Sequence, residues 1–129
     1  DQVDKDLEKI RPLPKSNAVR TLYENIADVM AIKTGMEAFK KLLWESDGKC
    51  RILPHMKDYT CEKLFFVSYA ATFCSNIPTW ALLKHTQMGT HSTPRLRVNV
   101  PLANMEEFRT AFKCPKNSPM VAQHRCTVF

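Results

Sequence analysis

The segment from Thr60 to Ser75 constrains the fold of this chain more than any other part of it. Within it Leu64, Phe65, Phe66, Val67, Tyr69, Ala70, Ala71 and Phe73 leave almost no polar side on a helical projection. A helix that is apolar all round needs neighbours to cover it, so this segment predicts a central, buried helix. Its uncharged stretch, Leu64 to Phe73, falls far short of the ~20 residues that cross a bilayer, so no membrane span is expected.

The flanking sequence supplies the neighbours. Thr21-Leu-Tyr-Glu24 has the spacing of a capping box, in which a hydroxyl and a carboxylate satisfy the first free amides of a helix. Leu22, Ile26, Val29 and Met30 then recur at helical spacing, and beyond Gly35 the stripe continues through Met36, Phe39, Leu42 and Leu43. Ser46-Asp-Gly48 stops it, and residues 49–59, with Pro54, read as a loop. Pro78 ends the central helix, and Thr79 caps a short helix through Trp80, Leu82 and Leu83. Gly89 to Pro101, where Arg95-Leu-Arg-Val-Asn99 alternates in character, reads as irregular or extended. Asn104-Met-Glu-Glu107 repeats the capping-box spacing and opens a helix carrying Phe108, Ala111 and Phe112, closed by Pro115. Residues 1–17, with a charged start and then Pro12 and Pro14, read as an N-terminal arm, and residues 18–129 as the domain. A chain of 129 residues can build one hydrophobic core without repeats or an obligatory metal. The expected fold is mainly α, a single helical domain with long irregular loops, stapled by disulfides.

The staples are inferred from five cysteines, Cys50, Cys61, Cys74, Cys114 and Cys126. So many in so short a chain point to an oxidising compartment, hence to a secreted, extracellular protein. No Cys-x-x-Cys pair occurs, and no histidine stands near a cysteine at zinc-finger spacing. The odd count leaves one sulfur unpaired, bonded to a second chain, or apart from a partner outside this sequence, and composition alone gives no connectivity. The chain opens at Asp1 without a hydrophobic signal region, which fits a mature secreted chain or an excised domain. The net charge of +6 is spread over Arg11, Lys15, Arg20, Lys40, Lys41, Arg95, Arg97, Lys113, Lys116 and Arg125. Such a distribution reads as a solubilising surface or as attraction to an acidic protein or a sulfated glycan. With no basic block and no aromatic-basic interleaving, it does not read as a nucleic-acid surface.

Two short patterns could carry chemistry. Glu24 and Asp28 stand four residues apart, hence on one helix face. An acidic pair at that spacing is ordinary on an exposed helix, and Glu24 is already accounted for as a capping acid. His91 and Arg97 lie six residues apart in the irregular segment. An imidazole beside a guanidinium can stabilise an oxyanion and grip a peptide carbonyl, or the two can be plain surface residues.

At these residues the sequence resembles a known family. Asn17-Ala-Val-Arg-Thr-Leu-Tyr-Glu-Asn-Ile-Ala-Asp28 is similar to the Asn-Gly-x-x-Thr-Leu-Gly-Glu-Asn-Ile-Ala-Asp motif of the neprilysin-type zinc metallopeptidases. Leu64 to Ser75 resembles that family's Leu-Phe-Phe-x-x-Phe/Tyr-Ala-x-x-Trp-Cys helix, and His91-Ser-Thr-Pro-Arg-Leu-Arg-Val-Asn99 its His-Ser-Pro-x-x-x-Arg-Val-Asn segment. Glu107 to Pro115, Ser118-Pro-Met120 and Cys126-Thr-Val-Phe129 follow in the same order. The resemblance implies that Glu24 matches the third zinc ligand and Asp28 the acid that orients a zinc-binding histidine. It likewise implies that His91 matches the transition-state stabiliser and Arg97 the arginine that holds the substrate backbone.

The family's His-Glu-x-x-His, which supplies two zinc ligands and the general base, has no counterpart here. The four histidines, His55, His85, His91 and His124, do not stand in that pattern. Tyr23 replaces the family's glycine before the zinc glutamate, Met30-Ala31 its Gly-Gly, and Gly89 its aspartate two residues before the histidine. Catalytic zinc needs three protein ligands and an open position. The expectation is therefore a non-catalytic relic, without zinc or other cofactor, that binds and inhibits an extracellular protein. The alternative is the C-terminal part of an active zinc endopeptidase completed by upstream sequence. Cys74, Cys114 and Cys126 match family cysteines whose partners lie upstream, so two intramolecular bridges are expected, with Cys50 and Cys61 both taking part and at least one of them joined to one of these three.

Overall fold

The computed structural model describes residues 17–51 and 53–126. The expectations for residues 1–16, including most of the N-terminal arm, and for residues 127–129 of the tail lie outside it. Five helices follow one another: α1 Ala18–Glu45, α2 Cys61–Ala71, α3 Thr79–Met88, α4 Pro94–Ala103 and α5 Glu106–Ala111. There is no strand among the described residues, and the fold is mainly helical.

The axis of the fold is α1, a continuous helix of 28 residues. It starts three residues before the expected cap. The Asn17 side chain accepts from the Arg20 amide at 3.0 Å, making Asn17 the N-cap. Thr21 lies inside the helix, 2 % exposed, and its hydroxyl donates to the Asn17 carbonyl. Thr-x-x-Glu is also an ordinary i,i+3 pair of a helix interior, so Glu24 is not a capping acid. At the other end Asp47 and Gly48 take positive φ, and the Gly48 amide donates to the Leu43 carbonyl at 2.7 Å. The expected stop at residues 46–48 is there.

Val29, Ile32 and Met36 form a narrow buried stripe on α1. Ile32 and Met36 meet Phe66 of α2, Leu102 and Met105 at the end of α4, and Phe108 of α5. Phe66 is the hub: the Phe108 ring stands edge-on to it at 5.4 Å, and the Phe65 and Phe112 rings lie within 6.3 Å. The helix was expected to be covered on all sides, and that is corrected here. In α2 only Phe66 is fully buried, while Val67 and Ala71 face solvent. One side of α2 packs on α1, α4 and α5, and the described residues do not cover the other.

Three more expectations are corrected. Residues 94–103 are helical rather than extended. Thr93-Pro94 starts α4, with Pro94 at the first position, where its missing amide costs nothing. The alternating Arg95-Leu-Arg-Val-Asn99 pattern imitated a strand, but Val98 and Leu102 at i,i+4 pack on the core. Asn104 does not cap α5. It is the C-terminal cap of α4, and Met105 is the residue before α5. Similarly, Thr79 is the first residue of α3, and the position before it is Pro78, with no side-chain cap.

The cysteines also differ from expectation. Cys50 and Cys61 form a disulfide with each other, while Cys74, Cys114 and Cys126 are free thiols. The bridge closes the connection between α1 and α2, a separation of 11 residues. The connection between α1 and α2 brings these two cysteines together, and neither is bonded to Cys74, Cys114 or Cys126.

Candidate functional site

The side of α1 that carries Glu24 and Asp28 is covered by α4 and by the connection before it. Both sequence pairs meet there. Arg97 of α4 donates from Nε to Asp28 Oδ2 at 2.8 Å and from Nη2 to Asp28 Oδ1 at 2.7 Å. This two-pronged pairing matches the planar guanidinium to the planar carboxylate. Asp28 is buried, and the Arg97 side chain is about one-quarter exposed. One turn earlier, His91 Nε2 lies 3.1 Å from Glu24 Oε2, with both side chains 41 % exposed. With Nε2 donating to the carboxylate, Nδ1 is left to accept from the Thr90 hydroxyl at 3.3 Å.

The i,i+4 spacing of Glu24 and Asp28 therefore presents two carboxylates in register to two bases six residues apart. The reading of these four as unconnected surface residues does not hold, because the fold brings all four together.

The buried pair is further enclosed. The Arg97 guanidinium carbon sits 4.8 Å from the centre of the Phe73 ring, a cation–π contact. Tyr69 lies beside Phe73, ring centres 5.3 Å apart, and its hydroxyl donates to the Arg97 carbonyl at 2.8 Å. The Asp28 hydrogen bonds hold the Arg97 guanidinium pKa above its ordinary value, against the opposing effect of burial. Burial, and next the Asp28 carboxylate, push the Tyr69 phenol up to about 12.

Sequence reasoning missed a hydrogen-bonded chain that fixes the histidine segment. Ser92, 6 % exposed, donates from Oγ to Asn25 Oδ1 at 2.7 Å, and Asn25 Nδ2 donates to the Thr21 hydroxyl at 3.1 Å. The Ser92 carbonyl lies 3.3 Å from His85 Nε2 of α3. Asn25 sits beside Glu24 in the motif and Ser92 beside His91, which is the one sequence signal that pointed to them. Gly89 is explained as well: a Cβ there would lie 2.5 Å from the His85 carbonyl oxygen. The family's aspartate could not occupy this position without moving the backbone.

Beside the ion pairs is a cleft of about 350 Å3 lined by Ile26, Val29, Leu96 and Val100 together with Asp28 and Ser92. Across α1, Lys40 bonds both Glu37 and Glu107 at 2.8 Å, and Glu106 holds Arg109 and Arg125. These contacts tie α5 and the C-terminal segment to the helices rather than build a site.

The donor set can be tested against zinc. Among the described residues no three His, Cys, Asp or Glu side chains converge where they could hold a metal ion. Asp28 spends both oxygens on Arg97, which leaves Glu24 with His91 as the nearest donors. Three protein ligands are needed, so these residues do not fit a catalytic zinc centre by themselves.

The four residues that the resemblance to neprilysin-type peptidases singled out, Glu24, Asp28, His91 and Arg97, thus meet at one place on a helical scaffold. The model of peptidase family M13 matches residues 3–128, and the chain belongs to that family. It is 43 % identical over 115 residues to Neprilysin-1 of Caenorhabditis elegans, covering 88 % of this chain and 15 % of the relative. It is 36 % identical over 113 residues to Neprilysin-11 of the same species, covering 88 % and 13 %. With Endothelin-converting enzyme-like 1 of Homo sapiens the identity is 35 % over 113 residues, covering 88 % and 14 %. The chain thus spans about one-seventh of the length of these relatives. No helix among the described residues is long and apolar enough to cross a membrane.

Proposed function

We propose that this chain is a non-catalytic binding module built on the peptidase scaffold, which works outside the cell by engaging another protein and obstructing it. The observation that carries this reading is the closure of the four family-matching side chains on one another. Asp28 is committed to Arg97 and Glu24 to His91, and among the described residues no third donor is in reach to make a metal centre. What remains for the scaffold is recognition.

The surface of α3 supports that role. Among the described residues this helix has no close backbone packing against another helix. The Arg20 guanidinium bonds the Gln87 carbonyl at 2.6 Å, and the 89–93 connection holds the same C-terminal end through His85. Trp80 and Met88 are 70 % and 68 % exposed, and with Lys84 they form one stripe at i, i+4 and i+8. Exposed apolar side chains grouped in this way mark interaction sites. No acidic residue occurs between Glu62 and Glu106, so the surroundings favour an acidic partner.

A second reading is favoured by the three free thiols, of which Cys74 and Cys126 are exposed, and by the uncovered side of α2. In it the chain is the C-terminal wall of a complete zinc endopeptidase. Further sequence would then supply His-Glu-x-x-His, and Glu24 would serve as the third ligand.

The experiment is elemental analysis and peptide hydrolysis on the purified chain. The first reading expects no stoichiometric zinc after dialysis and no cleavage. About one zinc retained per chain, or hydrolysis that a chelator abolishes, overturns it.

A further inference from the structure

Pro101 lies inside α4 and has no amide hydrogen to give. In an unbroken helix the residue at 101 donates to the carbonyl at 97, so this proline leaves the Arg97 carbonyl without its helical partner. The Tyr69 hydroxyl occupies that vacant acceptor, at 2.8 Å, from a different helix. Arg97 is therefore held at two points. Asp28 fixes its guanidinium, and Tyr69 fixes its backbone.

We propose that Tyr69 is a positioning residue for Arg97, replacing the helical hydrogen bond removed by Pro101 and setting the guanidinium against Asp28. The inference touches the proposed function only in that the Asp28–Arg97 pair is one of the contacts that close the site there. Tyr69 touches no ligand in this account; it acts through Arg97. A tyrosine is needed rather than any aromatic residue, because phenylalanine offers the same ring to Phe73 but no donor to the carbonyl. The pairing also explains how α4 tolerates a proline in its last turns. A part-buried carbonyl without a partner would weaken the helix at the residue that pairs with Asp28.

The test is solvent exchange of the Arg97 Nε proton, followed by NMR on the full chain. Tyr69→Phe should speed that exchange roughly tenfold, the factor that one lost neutral hydrogen bond is worth. Tyr69→Phe combined with Pro101→Ala should return it to the wild-type rate, since an alanine at 101 restores the helical donor. Pro101→Ala alone should change nothing. A residue that merely filled space would not be rescued 32 positions away. An unchanged rate in Tyr69→Phe overturns the proposal, as does failure of the double variant to fold or to restore the rate. None of these measurements involves a partner, so they can fail while the binding reading stands, and the reverse.

Discussion

Replacing Arg97 with methionine removes the partner of a carboxylate whose side chain is 9 % exposed. Taking one member from a buried ion pair costs about 3–5 kcal/mol, because the remaining charge stays desolvated and unpaired. Arg97 itself is 25 % exposed, so water can reach part of the freed carboxylate, which places the cost near the lower end. The lost cation–π contact with Phe73 is included in that figure at about 0.5–1 kcal/mol. A loss of about 3 kcal/mol in a domain of this size lowers Tm by roughly 10 °C. The double variant Asp28→Leu/Arg97→Met removes both charges and replaces them with apolar groups, and should recover all but about 1 kcal/mol. Thermal unfolding followed by circular dichroism at neutral pH gives all four corners of the cycle. A single variant that unfolds within about 3 °C of the wild type would show that the pair is solvated and does not organise the site. So would a double variant no more stable than the single one.

Four further expectations follow from the same structure. Alkylation of unfolded, unreduced protein should modify three thiols, rising to five after reduction, and Cys50→Ala should cost about 3 kcal/mol from the opened short loop. Glu106, held by Arg109 first and Arg125 second, has its carboxyl lowered to about 2. A lowered carboxylate keeps its contribution above the ordinary range and loses it as pH falls through the folded value. The Cys126 amide, which donates to Asn104 Oδ1 at 3.1 Å next to the Arg125 that Glu106 holds, should therefore exchange slowly near ~pH 4 and faster below ~pH 2. The Tyr69 phenol, raised to about 12, contributes fully below its unfolded value and loses that contribution as pH rises towards 12. Absorbance at 295 nm should show a late ionisation step that Tyr69→Phe lacks.

Much of the helical layout was legible because it depends on local spacing. The stop at Gly48 and part of the α1 stripe, Val29 and Met36, are each stated by a few neighbouring residues, whereas Leu22, Met30 and Leu42 stay exposed and α2 ends at Ala71, well before Pro78. The capping boxes were misplaced because Thr-x-x-Glu and Asn-x-x-Glu satisfy two geometries, and only the preceding residues decide between them. Asn17 outcompeted Thr21, and Asn104 ended one helix instead of starting the next. The segment 94–103 carries two β-branched valines and an internal proline, a poor helix by propensity, and its packing on the core overrode that.

The sequence by itself determined which side chains were available to a site. Glu24, Asp28, His91 and Arg97 could be named from motif order, and the want of a His-Glu-x-x-His was visible in the positions of four histidines. It could not say that these residues would be spent on one another. That outcome depends on α4 crossing α1 at the height where Arg97 meets Asp28, while the Ser92–Asn25 bond draws His91 to Glu24. Which cysteines pair, which side of α2 stays bare, and whether Tyr69 reaches a carbonyl left open by Pro101 were likewise decided in three dimensions. Local sequence sets torsions and periodicity within a few residues, whereas these contacts join positions from 11 to 69 residues apart. Only the packed core around Phe66 brings them within bonding distance.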